Sequence, residues 1–233
     1  VAELNPLLPL PVPEGIDYLS AGKNSCFSAA IAFIMHQMDC PRAYWQPQAI
    51  DAVTGRRPGE LTTNTNLGSL LLLDQGLTLT EIFPDLGFGW DISQGGSFAD
   101  YERCYRQFIA QSPVAKDYYE YSSEDLRDHW ETLEKFLPYE ESGQYTEKDR
   151  LPDIDDVIEL VRDGPVLAYT KVGEIPDASH AVVVAGYGIY PRNNEPRLRY
   201  FNCLTKPPYI VAAPDAFAKQ WLPDQGIIGV RRK

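Results

Sequence analysis

The chain has 233 residues, long enough to hide roughly 70% of its unfolded surface in one core. With 44% hydrophobic and 23% charged residues, its composition excludes a disordered, collagen-like or coiled-coil chain. A net charge of −12 excludes non-specific nucleic-acid binding, which needs clustered Lys and Arg. Residues 116–163 hold 16 acidic and 6 basic side chains, a local net of −10, which leaves −2 for the other 185 residues. That segment reads as a solvated acidic face. The longest apolar runs, at 29–35, 67–73 and 181–190, fall far short of a bilayer span, so no membrane span and a soluble protein are expected.

In chain order, residues 1–16 read as an extended arm punctuated by Pro6, Pro9, Pro11 and Pro13. They lack the basic start of a signal peptide, and the first residue, Val1, fits a processed form. A cytoplasmic location is favoured, an exported form being the alternative. "CFSAAIAFIMHQM" (26–38) reads as a helix apolar on most sides, hence central and buried, with Asn24 or Ser25 as its cap. A turn-rich stretch with Pro41, Pro47 and "TGRRPGE" (54–60) follows. Residues 64–75 form the next predicted helix, stopped by Gly76, and "LTLTEIF" (77–83) alternates as a strand. Glycines at 87–96 mark a loop with no phosphate-cradle spacing. Helices are expected at 98–111, at 122–137 behind Ser122 or Ser123, and at 153–164 before Gly164.

Beyond 164 the pattern changes to strands, at 165–172, 180–190, 198–204 and 226–232. Helices first and antiparallel strands last make an α+β chain, read as a single domain over 1–233 with the acidic helical segment inserted.

Only His36, His129 and His180 are available as imidazole bases. His36 lies ten residues past Cys26 on the same helix, about 15 Å along its axis, so it is assigned a structural role. His129 stands between Asp128 and Trp130 in a charged helix and is placed at the surface. His180 opens the most apolar strand of the chain. Cys26 starts the buried helix, where the positive end of the helix dipole favours a thiolate; a small buried hydrophobe is the plainer role for such a residue. Asn202 lies on the next strand, where it can stand beside His180 and hold the imidazole in one tautomer. A one-residue change of register would put Cys203 there instead, since neighbours on a strand face opposite sides. Cys40 and Cys104 are packing residues. No C-x-x-C, H-E-x-x-H or EF-hand spacing occurs, and neither a metal nor another cofactor is expected.

Cys at an early helix start, then His and Asn on late strands, resembles the papain-like cysteine peptidases. "NSCFSAAIAF" (24–33) is similar to their nucleophile helix and "HAVVVAGYG" (180–188) to their histidine strand. The finer likeness is to the bacteriocin-processing-peptidase-like branch, carried by "DGPVLAYTKVGEIPDASHAVVVAGYG" (163–188) and "YLSAGKNSCFSAA" (18–30). "TGRRPGE", "ADYERCYRQF" and "KPPYIVAAPDAFAKQW" resemble an uncharacterised bacterial and archaeal subgroup of it. The resemblance implies a papain-like fold, its N-terminal nucleophile helix packed on a C-terminal antiparallel sheet. It further implies a thiol-dependent peptidase or amidase in which Cys26 attacks an acyl carbon, His180 moves the proton and Asn202 orients His180. The substrate implied is a peptide or protein. The branch usually carries a Gln just before the Cys as an oxyanion donor; here the place reads Ser20-Ala21-Gly22-Lys23, and Ser20, Lys23 and Asn24 are the candidate substitutes beside the Cys26 N–H. The alternatives are a catalytically impaired peptide- or protein-binding module and a Cys-dependent acyltransferase.

Overall fold

A computed structural model describes residues 6–7, 25–55, 65–84, 96–111, 122–171 and 179–233 of the chain. Most of the N-terminal arm, "TGRRPGE" after Gly55, and nearly all of the glycine loop at 87–96 lie outside these residues. Of the arm, Pro6 bridges to Ile189 and the Leu7 N–H donates to the Ile189 carbonyl at 2.8 Å, which is extended pairing there.

Helix α1 (Cys26–Gln37) is buried from Phe27 through Met35 with no polar stripe, as its Ala- and Ile-rich sequence requires. Ser25 takes the N-cap position, but its side chain makes no capping hydrogen bond. The chain then turns through Asp39 at φ 54° and a 3₁₀ turn, Arg42–Trp45, into helix α2 (Pro47–Val53). Sequence reading treated this stretch as turns. Gln46 is extended, as a residue before proline should be, and Pro47 starts the helix, where its missing N–H costs nothing. Helix α3 (Thr65–Asp74) packs on α1 through Gly68, where a Cβ would stand 2.6 Å from the Phe27 ring. It ends at Gly76, φ +79°, ahead of strand β1 (Leu77–Phe83).

The described chain divides into two compact units, Asp85–Tyr145 and the combination of Val1–Pro84 with Thr146–Lys233. In the smaller unit, helix α4 (Phe98–Gln111) presents Tyr101, Tyr105 and Ile109 at four-residue spacing. Helix α5 (Ser123–Glu134) answers with Leu126 and Trp130. Ser122, not Ser123, is its cap, in a capping box with Asp125. A short helix α6 (Leu137–Glu141) follows in this unit.

Strand β2 (Tyr145–Asp149) follows, so the acidic segment is not helical throughout. Nor is it all solvated. Helix α7 (Ile154–Leu160) is capped by Asp153, and Asp156 is 8% exposed, held by two hydrogen bonds from the Arg150 guanidinium and one from the Asp153 N–H. These bonds hold the Asp156 carboxyl below the usual carboxylate range, the Arg150 contact being the largest cause.

The remaining strands are β3 (Val166–Lys171), β4 (Ser179–Tyr190), β5 (Glu195–Phe201), β6 (Tyr209–Ala212) and β7 (Ile227–Arg232). Helix α8 (Pro214–Ala218) and a 3₁₀ turn, Pro223–Gln225, sit between the last two. Among the described residues the sheet has seven strands in the order β2-β1-β7-β3-β4-β5-β6, and β1/β7, β7/β3, β3/β4, β4/β5 and β5/β6 are antiparallel. The architecture is α+β.

Both faces of the central strands are covered. Phe33 of α1 stacks on Phe201 of β5, ring centroids 4.3 Å apart and 5° from parallel. On the other face Val166, Ala168, Val182, Val184 and Tyr200 pack with Val157 and Val161 from the α7 side and with Phe217 of α8. Strands buried on both sides need a continuous apolar run rather than alternation, which is why Ala181 through Val184 are all apolar and at most 1% exposed.

Candidate active site

The register of β3 and β4 runs from Val166 opposite Val184 to Lys171 opposite Ser179 and sets His180 directly opposite Thr170. His180 is therefore the second residue of its strand, at the sheet end, and only 4% exposed. On the other side, β5 stops at Phe201, one residue short of Asn202, although the apolar pattern predicted strand to 204. The chain turns there because Pro207 and Pro208 have no N–H to give a ladder. The turn is held by its own bonds. The Asn202 N–H donates to the Pro208 carbonyl at 3.1 Å, and the Asn202 carbonyl accepts from the Thr205 N–H at 3.2 Å. Thr205 Oγ1 lies 3.1 Å from the Asn202 carbonyl and 2.8 Å from that of Pro207.

This turn aims the Asn202 side chain at His180. Asn202 Oδ1 lies 2.9 Å from His180 Nε2 and accepts from the Leu204 N–H, also at 2.9 Å. An amide oxygen only accepts, so His180 Nε2 carries the proton and the Nδ1 lone pair stays free to act as a base. Burial pushes the His180 imidazole below its ordinary value, and the Asn202 bond opposes that in part. The imidazole is thus neutral at pH 7, the state a general base needs.

Cys26 is half-buried at the first position of α1, where the N–H groups of the first turn have no intrahelical acceptor. Its charge acts on two other side chains. Burial, with charge on Cys26 as the second cause, pushes the Cys203 thiol up to about 12. Burial, then charge on Cys26, then charge on Glu81 raises the Tyr169 phenol above its usual range. Cys203 directly follows Asn202, and Tyr169 directly precedes Thr170, the residue opposite His180.

The structure joins two of the three sequence-selected residues, His180 and Asn202. Among the described residues no hydrogen bond joins Cys26 to His180. Alternation explains the arrangement. Val183 opposite Phe201 faces α1, so Ala181 and its partner Tyr169 do too, while His180 shares its side with Thr170 and Val182. Of the two residues competing for the place beside the imidazole, Asn202 bonds His180, and Cys203 is buried in the turn that follows. Ser20, Lys23 and Asn24 lie outside the described residues.

The other histidines are tied up elsewhere. His36 is half-buried, edge-on to Trp45 at 4.7 Å, with Gln37 Nε2 at 3.2 Å from its Nδ1. His129 lies at the surface as a residue, yet its Nδ1 is 2.6 Å from Tyr101 Oη and its ring is crowded by that tyrosine. Burial lowers both imidazoles from their ordinary value. Cys40 is buried and Cys104 half-buried, and all four cysteines are free. Among the described residues no three His, Cys, Asp or Glu side chains group as a metal site, and no helix is long and apolar enough to cross a membrane.

Sequence reading missed Thr205, the Leu204 amide and Tyr169 as parts of this site. A Pro-Pro pair starting three residues past the end of a predicted strand was the available signal for the turn. No protein-family profile, curated protein or solved structure matches the chain.

Proposed function

We propose that this chain is a thiol-dependent hydrolase of peptide or other amide bonds, built on a papain-like frame, with Cys26 as nucleophile, His180 as base and Asn202 as the group that orients His180. The observation that carries the reading is the His180 Nε2–Asn202 Oδ1 bond of 2.9 Å, which leaves Nδ1 as a free acceptor, in a chain whose first well-patterned helix starts on a thiol. In the reaction Cys26 Sγ attacks the acyl carbon as its proton passes to His180 Nδ1. The protonated imidazole then gives that proton to the leaving amine, and water resolves the thioester by the reverse use of the same base. The Cys26 N–H at the open end of α1 is one donor for the oxyanion. Transfer of the acyl group to an amine or thiol would use the same first half-reaction.

One observation favours a second reading, a peptide- or protein-binding module without turnover. Cys26 and His180 make no hydrogen bond to each other.

Acyl-enzyme formation separates the two. An activated ester such as p-nitrophenyl acetate should leave an acetyl group on Cys26, seen by intact mass and peptide mapping. Cys26→Ala should abolish it and His180→Ala should slow it by about 10²-fold or more. Equal acylation of wild type and His180→Ala would remove the hydrolase assignment and leave the binding module.

A further inference from the structure

The turn that holds Asn202 carries two large apolar side chains that the fold leaves in solvent. Leu204 is 60% exposed and Tyr209 39%. Both are tied to the imidazole's partner through the backbone. The Leu204 N–H donates to Asn202 Oδ1 at 2.9 Å, and that oxygen lies 2.9 Å from His180 Nε2. Two such bonds and the span from a leucine N to its Cγ put the Leu204 side chain within about 10 Å of the ring. Tyr209 follows Pro208, whose carbonyl accepts from the Asn202 N–H at 3.1 Å, and its ring centroid lies 5.8 Å from the guanidinium carbon of the buried Arg199. The bonds from Leu204 and Pro208 to Asn202 use only their backbone atoms and ask nothing of the side chains. A turn is made as well by Gly, Asn, Asp or Ser. Cys203 is the residue here that packs inward. A Leu and a Tyr held in solvent at the two ends of a self-bonded turn, beside the base, form a surface that the fold itself does not need.

The reaction names the occupant. The protonated imidazole gives its proton to the leaving amine, so the leaving nitrogen comes within hydrogen-bond reach of the ring, about 3 Å. The side chain next to that nitrogen begins two bonds away, about 2.5 Å further. It and the Leu204 side chain thus meet around one imidazole, while the acyl half of the substrate stays on Cys26. We propose that Leu204, with Tyr209 at the far end of the turn, forms an apolar subsite for the leaving half of the substrate, so that the amide bond cut is one followed by a large apolar residue. The proposal rests on the reading of Cys26, His180 and Asn202 as a hydrolase. In the step concerned the C–N bond breaks, the nitrogen takes the proton from His180 Nδ1, and the apolar residue departs with a free amino group. The acyl carbon remains bonded to the Cys26 sulfur. Contact with Leu204 takes apolar surface of both partners out of water, and a single methylene in such a contact separates substrates by about tenfold or more. Run in reverse, the same subsite receives an incoming amine. His180 Nδ1 takes the amine's proton, the C–N bond forms, the C–S bond breaks, and the proton passes to the Cys26 sulfur.

The acetyl group that p-nitrophenyl acetate leaves on Cys26 gives a test that needs no natural acyl group. The full chain is acetylated in the presence of equal concentrations of leucinamide and glycinamide, two amines of similar basicity. The acetyl-leucinamide and acetyl-glycinamide formed are counted by mass spectrometry, less the uncatalysed amounts found with Cys26→Ala. Their ratio does not depend on how fast the acetyl-enzyme forms. Leucinamide should be favoured by about tenfold or more in wild type. The preference should fall to within about threefold in Leu204→Ala and return in Leu204→Met. A urea midpoint measured on each variant separates a lost subsite from a lost fold, and recovery in Leu204→Met does so again. No preference in wild type, a preference that Leu204→Ala keeps, or an acetyl-Cys26 resolved by water alone would overturn the subsite and leave the hydrolase standing. A chain that forms no acetyl-Cys26 would remove both.

Discussion

Replacing Asn202 by Ala tests the pairing at the centre of the site. Asn202 Oδ1 accepts two hydrogen bonds, from His180 Nε2–H and the Leu204 N–H, each 2.9 Å long. The two donors do not suffer equally. His180 is 4% exposed, so its Nε2–H is stranded away from water, at about 1–3 kcal/mol. Leu204 is 60% exposed, and water replaces the lost acceptor, so that bond accounts for about 0.5–1.5 kcal/mol. The variant should lose roughly 1.5–4.5 kcal/mol of stability, read as a lower urea midpoint with an unchanged slope. The bond also supports the protonated imidazole, so its loss should push the His180 titration further down, seen in ring-proton NMR. Acylation of Cys26 should fall about 10²–10⁴-fold, because the imidazole is no longer held with Nδ1 free. Stability within about 0.5 kcal/mol of wild type, half the least cost of a stranded donor, would refute the energetic argument. Acylation within about twofold, against that range, would refute the catalytic one.

Three further outcomes follow from the fold. Gly164→Ala should destabilise the chain by about 3 kcal/mol, because its Cβ would stand 2.0 Å from the Val230 carbonyl oxygen, a backbone atom of β7; Gly143→Ala, at φ +70° but in open space, should cost only about 1 kcal/mol, and equal melting-temperature losses would contradict this. Asp153→Ala removes the acceptor for the Asp155 and Asp156 N–H groups at the start of α7 and should cost about 1 kcal/mol in urea unfolding. Burial holds His36, His129 and His180 below their ordinary value, so the unfolded chain binds protons first as pH falls. Stability should be full above about pH 6.5 and decline below it, by up to about 1.4 kcal/mol per pH unit per histidine; a urea midpoint that stays flat from pH 7.5 to 5 would contradict it.

Strong local patterns were legible in the sequence. The span of α1, the exact span of β1, the α4 and α5 helices and the continuous apolar run of β4 follow from periodicity and stop residues, because each element buries enough side chains to leave a pattern. Strand β2 did not, since "YTEKD" has one buried residue and four exposed ones, and β6 is a four-residue edge. Helices α2 and α8, seven and five residues long, are too short to show a period against the prolines that start them.

The site divides in the same way. Cys26 at a helix start and His180 at a strand start were readable locally, because both positions are set by the ends of strongly patterned elements. The choice between Asn202 and Cys203 was not, since the two are adjacent, of similar size and past the end of a strand. The tertiary structure settled it through two things that no local pattern contains: the β4–β5 register, and the self-bonded turn from Asn202 to Pro208. Together they left Asn202 with the imidazole and Cys203 buried in the turn behind it. A chain's own residue types name the groups capable of chemistry, and only strand pairing decides which of two neighbours faces which side.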